Sequence, residues 1–124
     1  MNRILFFIDS YLPGYKWGGP ITSISNLATL LNGHLDILIC TRNHDLGDSR
    51  VYTSVISNNV TKFEKNNVIY LSKMNVLSVT SVIDDFNPDV IYLNSFFSLS
   101  TQLVLFLNCF KYKRRLVIAP RGEL

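Results

Sequence analysis

The sequence predicts an α/β fold: a Rossmann-like, doubly wound domain built on a mainly parallel sheet. Three observations predict it. Short continuous apolar runs read as strands buried on both faces, as in a parallel sheet. Segments of helical period alternate with those runs along most of the chain. Glycine and polar residues collect where the runs end, at Asp9–Pro20, Thr41–Arg50, Asn94–Ser98 and Pro120–Glu123. In such a sheet, ligands bind at the carboxyl ends of the strands.

Each element has its own signal. Residues 3–9, Arg-Ile-Leu-Phe-Phe-Ile-Asp, form the first strand. A turn-rich loop from Ser10 to Gly19 carries Pro13, Gly14, Gly18 and Gly19, and Pro20 suits the first position of a helix, where its missing N–H costs nothing. Ile21, Ile24, Leu27, Ala28 and Leu31 then recur at helical spacing, and Asn32-Gly33 supplies the stop. His34–Cys40 is the second strand, followed by a polar loop from Thr41 to Arg50. Val60–Glu64 and Asn67–Leu71 read as two short strands around a Lys65-Asn66-Asn67 turn. A helix over 75–86 sets Val76, Leu77, Val79, Val82, Ile83 and Phe86 toward the core, and Asn87-Pro88 breaks it. Asp89–Asn94 is a further buried strand, residues 99–110 a helix, and Arg115–Ala119 the last strand.

Length and composition bound the rest. A chain of 124 residues suits one domain with a real core. At 48% hydrophobic and 17% charged it is ordered and apolar, which points to surface that meets a second domain, a partner or a membrane face. The net charge of +3 is small and falls largely on Lys111, Lys113, Arg114 and Arg115. Without a basic stripe or a motif this does not make a nucleic-acid binder. That cluster, beside an apolar helix, does fit peripheral contact with an anionic membrane. Residues 90–110 carry no charge, but Asn94, Ser95, Ser98, Ser100, Thr101, Gln102 and Asn108 favour a strand and a helix over a membrane span. No signal-peptide pattern is present, since Asp9 ends the first apolar run. Cys40 and Cys109 lack a C-x-x-C partner and read as buried, reduced thiols of a cytosolic protein.

Several local patterns bear on chemistry. Gly18-Gly19 at a helix start offers free N–H groups and the positive end of the helix dipole to an anion, or else makes a tight turn. A nicotinamide enzyme is disfavoured, because G-x-G-x-x-G is absent and strand two ends in Cys40-Thr41-Arg42 with no acid for a ribose. Arg121 and Glu123 at a strand end can grip phosphate or sugar hydroxyls, or form a surface ion pair of little consequence. His44 beside Asp45 is read as a solvated loop side chain, and His34 and His44 lack metal-ligand spacing. Asp84-Asp85 near a helix end faces water.

In order, the chain presents an Ile-Leu-Phe-Phe strand, a Pro-x-x-x-x-Gly-Gly-Pro loop opening a helix, and Thr41-Arg42-x-x-Asp45-Leu46-Gly47-Asp48 after strand two. Phe86-Asn87-Pro88-Asp89-Val90 runs on through Leu93 to Asn94-Ser95, and Val117-Ile118-Ala119-Pro120-Arg121-Gly122-Glu123-Leu124 follows. This series resembles the N-terminal domain of family 4 glycosyltransferases over nearly the whole chain, residues 51–72 being the least distinctive. The resemblance implies one half of a GT-B architecture: the acceptor-side domain of a retaining enzyme that moves a sugar from a nucleotide-sugar to a glycan or lipid-linked acceptor, in surface polysaccharide biosynthesis. It implies no metal and no cofactor beyond the donor substrate. It places Gly18 and Gly19 at the donor diphosphate, and Arg42, Asp45, Asn94, Ser95, Arg121, Gly122 and Glu123 at the acceptor or the cleft. Relatives often carry a His where this chain reads Asn94-Ser95, so no catalytic residue is assigned. It also implies that the donor-binding domain lies beyond Leu124, that these residues alone are inactive, and that the protein works in the cytoplasm at the inner face of the membrane. The alternative is a stand-alone α/β ligand-binding or regulatory module.

Overall fold

The structure is a computed structural model that describes residues 3–8, 11, 18–43, 58–63, 66–73, 75–93, 102–105 and 115–118. Its elements are β1 (Arg3–Phe7), α1 (Gly18–Leu31), β2 (Asp36–Arg42), β3 (Val60–Phe63), β4 (Asn66–Leu71), α2 (Val76–Phe86), β5 (Val90–Leu93) and β6 (Arg115–Ile118). They form a mixed α/β fold around one 6-stranded sheet of order β3-β4-β2-β1-β5-β6. All pairs are parallel except β3 with β4. Leaving out β3, the strands lie third, second, first, fourth, fifth by chain order, which is compatible with a Rossmann-like fold.

β1 is central because every side chain it can bury finds apolar neighbours. Leu5 and Phe7 face one side with Leu38, Cys40, Ile91 and Leu93; Phe6 and Ile8 face the other with Ile37, Ile39 and Tyr70. Ile24 and Ala28 of α1 cover the second face. Val79, Val82 and Ile83 of α2, with Val104 from the helical residues 102–105, cover the first. The chain steps from β1 to β2 in one direction and from β4 across to β5 in the other. Crossovers of one hand must then lie on opposite faces, and α1 and α2 do.

The helix ends follow local chemistry. Asn75 caps α2, its side chain accepting from the Ser78 N–H at 2.9 Å. Asn87 closes α2 in the left-handed region, φ 51°, its N–H donating to the Ile83 carbonyl. Gly33, φ 96°, turns the chain out of α1, a conformation that a side chain at this position would strain. At the amino edge of the sheet, Arg3 donates from its backbone N–H to Asp89 Oδ2 (2.8 Å) and from Nη1 to the Phe86 carbonyl (2.6 Å), and pairs with Asp36 at 3.3 Å. One residue thereby ties β1, β2, the end of α2 and the start of β5 together.

Four expectations are corrected. α1 starts at Gly18, so Gly18-Gly19 belong to its first turn and Pro20 is its third residue; the first turn has no intrahelical acceptor for its N–H groups, which still tolerates proline. β2 runs on to Arg42, so Thr41 and Arg42 are strand residues and not loop. Val76 and Leu77 are exposed, at 42% and 82%, in the first turn of α2, where Leu77 borders the open cavity on the α2 face and not the packed core. Asn66 is not a turn residue: it starts β4, is buried, and its Nδ2 donates to Thr29 Oγ1 on α1. Within the expected helix 99–110 the described residues are 102–105, and these are helical.

Leu5→Ala is expected to lower the unfolding free energy by about 2–5 kcal/mol, and Leu77→Ala to change it by less than about 0.5 kcal/mol. Urea denaturation of the two variants checks the assignment of inner and outer positions.

Candidate functional site

The sheet reverses direction at β1, and the carboxyl edge of β1 and β5 is where a doubly wound sheet of this kind binds ligands. β1 leads into it through Ile8, whose N–H donates to the Cys40 carbonyl at 3.1 Å, and through Tyr11, which is fully buried in the α1-side core. α1 begins at the same edge, since a helix linking parallel neighbours runs back over the sheet. Its first turn contains Gly18 and Gly19 and no acidic residue. A helical backbone does not itself demand glycine, and two glycines lower helix stability. What they offer is close approach to the first-turn N–H groups, which have no intrahelical acceptor, at the positive end of the dipole.

β2 contributes the other half of the edge. Thr41 pairs with Tyr70 and Arg42 with Leu71 in register. Alternation sends Thr41 to the α1 side and Arg42 to the α2 side. Thr41 has no exposed surface, and its Oγ1 has no hydrogen-bond partner. Arg42 is partly buried, and its Nε is buried without a partner. Next to them Asn43 is buried and its N–H donates to the Leu71 carbonyl at 3.0 Å. Asn58, in the left-handed region at φ 64°, closes the edge beyond β4: its N–H donates to the Tyr70 carbonyl (2.7 Å), and its Oδ1 accepts from the Ser72 N–H (3.0 Å). Most buried polar groups in proteins are satisfied, so two adjacent unmatched donors mark the end of β2 as unusual.

The site residues expected from the sequence divide sharply. Gly18 and Gly19 open α1 and Arg42 closes β2, so these three lie at one edge of the sheet. Asp45, Asn94, Ser95, Arg121, Gly122 and Glu123 lie outside the described residues, as do Asp9, His44, Cys109, Lys111, Lys113 and Arg114; Arg115 is the first residue of β6. Sequence reading missed Thr41. Its signal was weak: one threonine at the end of an apolar run, indistinguishable from a loop start until the register with β4 is known.

Other groups are structural. Cys40 is fully buried and burial pushes its thiol pKa well up, which leaves it protonated and unreactive. His34, Asp84 and Asp85 are exposed. Among the described residues no group of His, Cys, Asp and Glu could hold a metal ion, and no helix is long and apolar enough to cross a membrane. A cavity of about 430 Å³ lies on the α2 face, floored by Leu38, Ile69 and Leu71 and walled by Val82, Phe86 and Val60, and contains none of the expected site residues. No family model, curated protein or solved structure matches the chain.

Thr41→Val removes the unmatched hydroxyl while keeping the branched shape. It is expected to raise the unfolding free energy by about 1 kcal/mol. A comparable loss in urea denaturation would show that Oγ1 is satisfied in the folded protein.

Proposed function

We propose that residues 1–124 form the acceptor-side domain of a retaining family 4 glycosyltransferase, one half of a GT-B architecture. The enzyme moves a sugar from a nucleotide-sugar donor to a glycan or lipid-linked acceptor, in surface polysaccharide biosynthesis at the cytoplasmic face of the membrane. The observation that carries the reading is the position of Gly18-Gly19. The pair opens α1 at the carboxyl edge, beside the strand where the sheet reverses. A phosphate group, as in a diphosphate, is an anion that such a helix start accepts. The order of motifs along the sequence supports the same reading.

Each part then has a task. The first turn of α1 holds the donor diphosphate through N–H groups. Pro20 donates none, so the bonds fall to Gly18, Gly19 and Ile21. Arg42 and Asp45, Asn94 and Ser95, and Arg121, Gly122 and Glu123 face the acceptor or the cleft. The nucleotide-sugar itself sits on a second domain, which these residues do not contain. Lys111, Lys113, Arg114 and Arg115 make peripheral contact with anionic lipid, a contact that sedimentation with anionic vesicles at low salt checks.

Residues 1–124 alone are expected to transfer no sugar from a nucleotide-sugar donor. Joined to its donor-binding domain, the chain is expected to be active, and Gly19→Val to lower kcat/KM roughly tenfold or more, about 1.4 kcal/mol of transition-state stabilisation. Efficient transfer by the isolated chain, or an unchanged Gly19→Val enzyme, would contradict the reading. A chain that binds ligand without transfer in either form would favour a stand-alone binding module.

A further inference from the structure

Arg42 stands out among the charged side chains of the described residues. The residue is partly buried, its side chain makes no ion pair and no hydrogen bond among the described residues, and its Nε is buried. Arg3, at the opposite edge, has an ion pair with Asp36, a carbonyl acceptor at Phe86, and the Phe86 ring 5.5 Å from its guanidinium carbon. A buried cationic donor without an acceptor is costly, and such groups are ordinarily paired. Lysine would have left its head group free to reach water; the planar guanidinium is the group that recognises carboxylate and phosphate through paired N–H donors. The position adds to this. Arg42 is the last residue of β2, one strand from the reversal at β1, on the edge where a doubly wound sheet takes its ligands.

We infer that the carboxyl end of β2 is an oxyanion site in which the Arg42 guanidinium binds a phosphate or carboxylate group of the ligand. Arg42 points to the α2 side of the sheet, as its register partner Leu71 does, whereas α1 lies on the other side. The anion is therefore separate from one held at the first turn of α1. Resting on the proposed function, this makes the acceptor, and not only the donor, an anionic molecule. Thr41 faces α1 and takes no part.

The test is a titration of the folded chain with inorganic phosphate, and separately with acetate, followed through the arginine Nε–Hε signals by NMR. Saturable perturbation of the Arg42 signal is expected. Arg42→Gln is expected to weaken binding roughly tenfold or more, as loss of a charge-assisted hydrogen bond does. Arg42→Lys, which keeps the charge and loses the fork, is expected to weaken it as well. Lys62→Gln makes the same charge change near the amino end of β4 and is expected to leave binding unaltered. An unchanged backbone spectrum shows that each variant is folded. Phosphate binding without acetate binding assigns a phosphoryl group, and binding of both assigns either oxyanion. No saturable binding, or equal weakening by Lys62→Gln, would overturn the site. The titration contains no sugar donor, so its outcome is independent of whether the protein transfers sugar.

Discussion

The fold depends on β1 lying in the middle of the sheet. Its five residues pair in parallel register with β2 on one side, and Ile4–Phe7 pair with β5 on the other. Burial on both faces requires apolar side chains at successive positions, and Leu5, Phe6, Phe7 and Ile8 supply them. Removing any one of these opens a void against two layers of structure, since protein interiors are close-packed. The central position also fixes topology. Because β1 comes first in the chain and has both neighbours added later, β2 on one side and β5 on the other, the chain must reverse its direction of travel there, and that reversal separates α1 from α2. Phe6 and Tyr92, with ring centroids 5.0 Å apart, close the β1–β5 seam on the α1 side.

The two edges of the sheet differ in how their polar groups are matched. At the amino edge, Arg3, Asp36, Asp89 and the carbonyl end of α2 satisfy one another. The Arg3–Asp36 pair is exposed and contributes little energy on its own, but it fixes how four elements meet. At the carboxyl edge, Thr41 and Arg42 hold donors that find no partner among the described residues. Stability alone would favour apolar residues at those positions. The asymmetry gives the amino edge an architectural role and leaves the unmatched donors at the carboxyl edge, where the Gly-Gly opening of α1 also lies.

The α/β alternation, α1, α2 and the six described strands were legible in the sequence, because buried strands and amphipathic helices each leave a period. Finer details were not. The end of β2 was placed too early: Thr41 and Arg42 look like loop, and only pairing with Tyr70 and Leu71 makes them strand. The outer face of α2 was misread at Val76 and Leu77, since an apolar residue in the first turn counts toward helical period whichever way it points. The candidate site was legible in part. Gly18, Gly19 and Arg42 share an edge, whereas the unmatched state of Thr41 and Arg42 is a property of the packed sheet that no local pattern encodes.

The central claim is that the sheet reverses at β1, with β2 parallel on one side and β5 parallel on the other, so that the carboxyl edge shared by the start of α1 and the end of β2 lies beside the switch point. Interstrand NMR contacts test it most directly. The account predicts contacts from β1 to both neighbours, Phe6 to Ile39 and Phe6 to Tyr92. Contacts from β1 to β2 alone, with β5 paired to β4 instead, would contradict it.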